Sequence, residues 1–97
     1  MIVVDTNVVA YLREGSLRLS DAFAMMREAE TLFRGAEYSV DSGQVLKLVT
    51  GTSCSAYDCE FVALAQQLGV SLLTSDAEIL KEFPQMATSL EAFVKKR

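Results

Sequence analysis

The sequence predicts a small α/β domain in which a parallel sheet is covered by helices on both faces. Three observations carry that expectation. Residues 1–4 and 70–74 are short apolar runs of strand type, each followed by a helix-type segment. Residues 20–35 and 55–68 carry apolar residues at helical spacing. Strands alternating with helices of this length imply right-handed crossovers, which build a parallel sheet with covered faces.

Residues 1–4 are apolar and partly β-branched and end at Asp5, the pattern of a strand buried on both faces and therefore central in its sheet. Residues 6–13 place Val8, Val9 and Leu12 at helical spacing, and Gly15 stands where a left-handed glycine stops a helix. Residues 14–19 are expected to be a loop. Ser20 is a good N-cap for a helix that carries Ala22, Met25, Met26, Ala29, Leu32 and Phe33 on one face and ends at Gly35. The methionines on that face suit core filling. A short strand is expected at residues 38–40, a helix at 42–49 and a loop at 50–54.

The strongest helix signal lies at residues 55–68. Ser55-Ala-Tyr-Asp58 has the form of a capping box, Tyr57, Phe61, Leu64 and Leu68 make a stripe, and Gly69 terminates the segment. Residues 70–74 then form a second buried strand. Ser75-Asp-Ala-Glu78 opens a short helix that stops before Pro84, and a strand at 86–88 and a terminal helix at 90–94 complete the order.

With 97 residues and 51% hydrophobic content, the expectation is one compact domain spanning residues 1–97. No apolar run is long enough for a bilayer span and no leader pattern precedes one, so the expected location is cytoplasmic, with no membrane partner. Cys54 and Cys59 stand without a histidine or a further cysteine, which argues against a zinc site or a disulfide framework and for two structural thiols. A net charge of −4 opposes nucleic-acid binding. It is reconciled with RNA if a bound metal supplies positive charge, or if Arg13, Arg18, Arg27 and Arg34 gather on one surface. The tail of Lys95, Lys96 and Arg97 has the character of a solvated terminus.

Ligands of open α/β sheets bind beyond the carboxyl ends of the strands. Asp5 ends the first strand, Asp76 follows the second, and Asp58 lies in the first turn of the strongest helix, so the three carboxylates are candidates for one crevice. Carboxylate oxygens are hard ligands for Mg²⁺ or Mn²⁺, and Mg²⁺ commonly takes one or two of them together with water and phosphate oxygens. Each aspartate also has a structural reading: Asp5 as an N-cap, Asp58 inside a capping box, Asp76 as an acid favoured by a helix dipole. The other acids, among them Glu28, Glu30, Glu60, Glu78, Glu82 and Glu91, suit solvated helix faces. A phosphoacceptor role for Asp5 is disfavoured, because it lacks a neighbouring acid.

The opening Ile2-Val-Val-Asp5-Thr-Asn7 resembles that of the PIN-domain family, whose members include VapC-type toxins. The blocks Ser55-Ala-Tyr-Asp58-Cys-Glu-Phe-Val-Ala-Leu-Ala65, Leu68-Gly-Val and Leu72-Leu-Thr-Ser-Asp76 are similar to the family's later acidic motifs in order and spacing. The resemblance implies a three-layer α/β/α fold and an endoribonuclease whose Asp5, Asp58 and Asp76 bind Mg²⁺ or Mn²⁺. Thr6, Asn7, Thr74 and Ser75 would brace those carboxylates. It further implies an RNA substrate and an antitoxin that lays a peptide segment over the acidic crevice.

One departure from the family pattern is large. Asp5-Thr-Asn-Val-Val-Ala10 runs directly into Tyr11-Leu-Arg-Glu-Gly-Ser-Leu-Arg-Leu-Ser-Asp21, which resembles the end of a later family helix. The implied internal deletion near Ala10 and Tyr11 removes the segment that carries the second acidic residue. Glu14 is no substitute, because nine helical residues from Asp5 amount to roughly 13 Å at about 1.5 Å each. The shortened chain is expected to expose apolar surface and bury it in a homodimer or an exchanged-element assembly. The alternative expectation is a catalytically inactive PIN-like interaction or dimerisation module.

Overall fold

The computed structural model describes residues 2–5, 8–33 and 40–96. The element order is β1 (Ile2–Val4), α1 (Val8–Arg13), α2 (Leu19–Phe33), α3 (Ser42–Gly51), α4 (Ala56–Leu68), β2 (Ser71–Leu73), α5 (Ala77–Glu82), β3 (Ala87–Thr88) and α6 (Leu90–Lys95). The three strands form a parallel sheet in the order β1-β2-β3. Val3 pairs with Leu72 and Val4 with Leu73, so the two strands alternate in step.

That alternation splits the core into two layers. Val3 and Leu72 point into a cluster with Cys59, Val62, Ala63 and Ile79 beneath α3, α4 and α5. Ile2 and Leu73 point the other way, against Leu17, Ala22 and Met25, with Tyr11, Leu12, Leu90 and Phe93 at its edges. Helices therefore cover both faces, as the α/β pattern predicts. None of the described helices is long and apolar enough to cross a membrane.

Two glycines end helices as the sequence leads one to expect, and the bonds show how. Gly15 (φ 78°) donates to the Leu12 carbonyl while Ser16 donates back to Tyr11. Gly69 (φ 67°) repeats the pattern on α4, with Val70 donating to Ala65. In each case a left-handed residue lets two otherwise unpaired carbonyls be satisfied at the helix end.

Several expectations are corrected. The expected central place of β1 turns on residues outside the described ones; among the described residues β2 lies between β1 and β3. Ser20 does not cap α2; the helix begins at Leu19, and the Arg18 carbonyl accepts from Asp21 and Ala22. Met26 does not share the buried face of Met25 but is 44% exposed, since it falls one helical step away. On α4 the buried side is Cys59, Val62, Ala63 and Ala65, whereas Tyr57 is exposed and stacks edge-on against Phe61 at 5.1 Å. Val40 is not in a strand, and the rest of the segment 38–40 lies outside the described residues, as do Arg34 and Gly35.

Candidate functional site at the ends of the strands

Asp5 follows β1 directly, and its backbone N–H donates to the Leu73 carbonyl at 3.0 Å, extending the sheet by one bond. Its side chain is buried, at 7% exposure. The buried Thr74 hydroxyl, one residue beyond β2, donates to Asp5 Oδ2 at 2.6 Å. That distance is typical of a hydroxyl bonded to a charged carboxylate, which makes it one of the stronger contacts in the molecule. The same hydroxyl accepts from the Asp76 backbone N–H at 3.0 Å, and the Thr74 N–H donates to Thr88 in β3. One threonine thus ties together the ends of all three strands.

Asp76 is the N-cap of α5, accepting from Ile79 N at 2.9 Å through Oδ1. The expectation that Ser75 opens this helix is corrected; Ser75 is half-buried and faces a cavity. Asp58 stands in the first turn of α4, where Ser55 Oγ accepts from its backbone N–H at 3.1 Å. That bond is one half of a capping box, formed by the backbone of Asp58 and not by its carboxylate. Thr6 and Asn7, the remaining candidates, lie outside the described residues.

Burial pushes the Cys54 thiol above its ordinary value of 9.0; Thr52 opposes the rise, and the neighbouring Cys59 and the charges of Asp76 and Asp58 add to it. Cys59 is likewise raised by burial, opposed by Thr52 and helped by Asp58. The Thr74 hydroxyl links the Asp76 backbone N–H to the Asp5 carboxylate.

That arrangement is not a closed cage. Among the described residues, no group of three or more acids or cysteines is close enough together to hold a metal ion. The chemistry of the donors suits Mg²⁺ or Mn²⁺, whose shells need only one or two protein carboxylates and are completed by water and phosphate. Asp5 is buried and braced by Thr74, the Asp76 backbone shares that threonine, and Asp58 is half-buried in the first turn of α4. Glu14 is exposed and within hydrogen-bond reach of Ser16, in the turn after α1.

Sequence reasoning missed two features on the wall of a cavity that Ser75 also lines. Asp21 is buried, at 3% exposure, and pairs with Arg18, Nε to Oδ2 at 3.1 Å. The signal is the i, i+3 spacing of opposite charges at a helix start, which local reading assigns to solvent. Lys95 belongs to the last turn of α6 and, with Arg18, lines a cavity of about 740 Å³ whose wall includes Ser75. Arg13 and Arg27 are exposed.

No protein-family model and no solved structure matches the chain. Among curated proteins it is similar to ribonuclease VapC3 of Pyrobaculum aerophilum, at 32% identity over 89 residues, covering 88% of this chain and 67% of that protein.

Proposed function

The chain belongs to the VapC/PIN-type ribonuclease family, and on that premise we propose that it is a Mg²⁺- or Mn²⁺-dependent endoribonuclease of the toxin type, acting in the cytoplasm. The observation that carries the reading is the Thr74 hydroxyl held on Asp5 at 2.6 Å while it accepts from Asp76. It fixes a buried carboxylate at the mouth of the strands and ties the Asp76 backbone to the same hydroxyl. Asp5 anchors the metal, while Asp76 and Asp58 complete its surroundings directly or through water. Once bound, the cation supplies Lewis-acid polarisation of the scissile phosphate and a more acidic attacking water. The side chains hold and orient. Asp76 commits one carboxylate oxygen to the helix cap and keeps the other available, and Thr74 prevents Asp5 from turning away.

The chain's net charge of −4 gives the cation a second task, because RNA approaching these acids is otherwise repelled. The same charge suits an antitoxin with a basic peptide segment that covers the crevice. The purified chain is expected to cut a structured RNA in Mg²⁺ or Mn²⁺ and to stop when the metal is chelated. Cutting that persists in chelator, or none in either metal, counts against the proposal.

A second reading is favoured by one observation, the absence of a three-ligand cluster among the described residues. Together with the deletion inferred near Ala10 and Tyr11, it describes a chain that keeps the fold and partner binding but has lost, or much reduced, its cutting. A protein that folds and associates without cutting RNA fulfils that reading.

Association is expected in either case. Leu19, Phe23 and Met26 stand at i, i+4 and i+7 on α2, exposed at 56%, 59% and 44%, and form one apolar stripe. We place the homodimer interface on it. Light scattering at low micromolar concentration is expected to return twice the monomer mass, and a monodisperse monomer contradicts the assignment.

A further inference from the structure

The cavity of about 740 Å³ beside the strand ends is lined from α1, the start of α2, the turn after β2, α5 and α6. Its floor is apolar, with Leu17, Leu80, Leu90 and Val94. Arg18 and Lys95 bring two cations to it from distant parts of the chain. The Arg18 side chain is 78% exposed even though its Nε is held by buried Asp21, so the guanidinium is oriented yet open to a ligand. Tyr11 is half-buried in the wall and offers an aromatic surface. The anion facing the two cations besides Asp21 is Glu91. Ser75 joins this cavity to the acids, since it stands between Thr74, which bonds Asp5, and Asp76.

We propose that this cavity seats one nucleotide of single-stranded RNA next to the cleavage point, with Arg18 and Lys95 on its backbone phosphate and Tyr11 against its base. The assignment rests on the ribonuclease reading and deepens it. A cavity of this size is in the range that encloses a small ligand. Planar bases stack on aromatic side chains with little dependence on sequence, and arginine forks match phosphate oxygens. The arrangement also bears on the charge problem: two cations from distant parts of an acidic chain meet at the place where a phosphate must be held. A nucleotide seated here brings the next phosphodiester toward the carboxylates past Ser75.

The test separates binding from cutting. In an Asp5→Asn background, binding of a fluorescent hexaribonucleotide is followed by anisotropy at two salt concentrations, and each substitution is also made in the wild-type chain to record cleavage. Lys95→Glu is expected to weaken binding about tenfold and to flatten the salt dependence by about 0.7 in log–log slope for each phosphate no longer neutralised. Tyr11→Leu is expected to weaken it about tenfold with the slope unchanged. Lys47→Glu, on exposed α3 at the far layer, is expected to leave both unchanged. Arg18→Lys keeps the charge and the partner of Asp21 and is expected to weaken binding about threefold, with thermal melting confirming the fold. Equal weakening by Lys95→Glu and Lys47→Glu overturns the proposal, as does unchanged binding in both cavity variants or no binding at all. If those results accompany a wild-type chain that still cuts RNA, the cavity assignment alone fails. If the wild type does not cut, the ribonuclease reading fails with it.

Discussion

Asp5→Asn is expected to lower metal-dependent RNA cleavage at least about a hundredfold, equivalent to about 3 kcal/mol of lost transition-state stabilisation. The substitution keeps the size of the side chain and keeps an oxygen able to accept from the Thr74 hydroxyl, so packing at the strand ends is conserved. What it removes is the buried negative charge. A carboxylate at 7% exposure has little water to stabilise it, and a divalent cation gives that charge a partner. The amide binds the cation far more weakly because it carries no net charge. Initial cleavage rates for the two proteins, compared after matching their circular dichroism and melting curves, check the expectation. A loss of less than about threefold shows that Asp5 holds the fold and not the chemistry.

The largest stability effect is expected from Leu72→Ala. Leu72 is fully buried in the central strand β2 and packs in the layer formed by Val3, Val62 and Ile79 beneath α3 and α4. Removing its outer carbons loses their transfer free energy and leaves a cavity that strands fixed on both sides cannot close, a combined cost of about 2–5 kcal/mol. Domains of this size are held by only about 5–15 kcal/mol in total, so the melting temperature falls by more than about 10 °C. Leu46→Ala is the control. Leu46 is 65% exposed on α3, and its loss is expected to cost less than about 0.5 kcal/mol. Urea denaturation of both variants checks the pair, and similar midpoints contradict the description of the core.

Much of the fold is legible in the sequence because its strongest signals are local. The apolar runs before Asp5 and Thr74, the Ser55 cap and the two left-handed glycines depend on neighbours a few residues away, and each appears in the structure. The features that mislead turn on longer distances or on a choice between equals. An apolar run reports that a strand is covered but not by what; for β1, helices pack on both faces. Ser75 and Asp76 are both good caps, and it is the Thr74 hydroxyl, by accepting from Asp76 N, that selects the second. On α4, Tyr57 and Phe61 outweigh the small residues in any hydrophobicity pattern, yet Cys59, Val62, Ala63 and Ala65 permit the close approach to the sheet.

The candidate site divides along the same line. Asp5, Asp58 and Asp76 stand out by their positions at element ends and by resemblance, whereas the Asp5–Thr74 bond spans 69 residues that no local pattern connects. The cations of the cavity are invisible to a local reading for a related reason. A lysine near a chain end and an arginine in a turn look solvated until α6 and the start of α2 are brought to one cavity.

The central claim is that Asp5 anchors a divalent cation at the ends of the strands. Calorimetric titration of Mn²⁺ into the wild-type chain and into Asp5→Asn addresses it without reference to any RNA. One site per chain in the wild type, weakened at least about tenfold in the variant while both proteins melt alike, is the expected result. Equal binding by the two proteins, or none by the wild type, contradicts it.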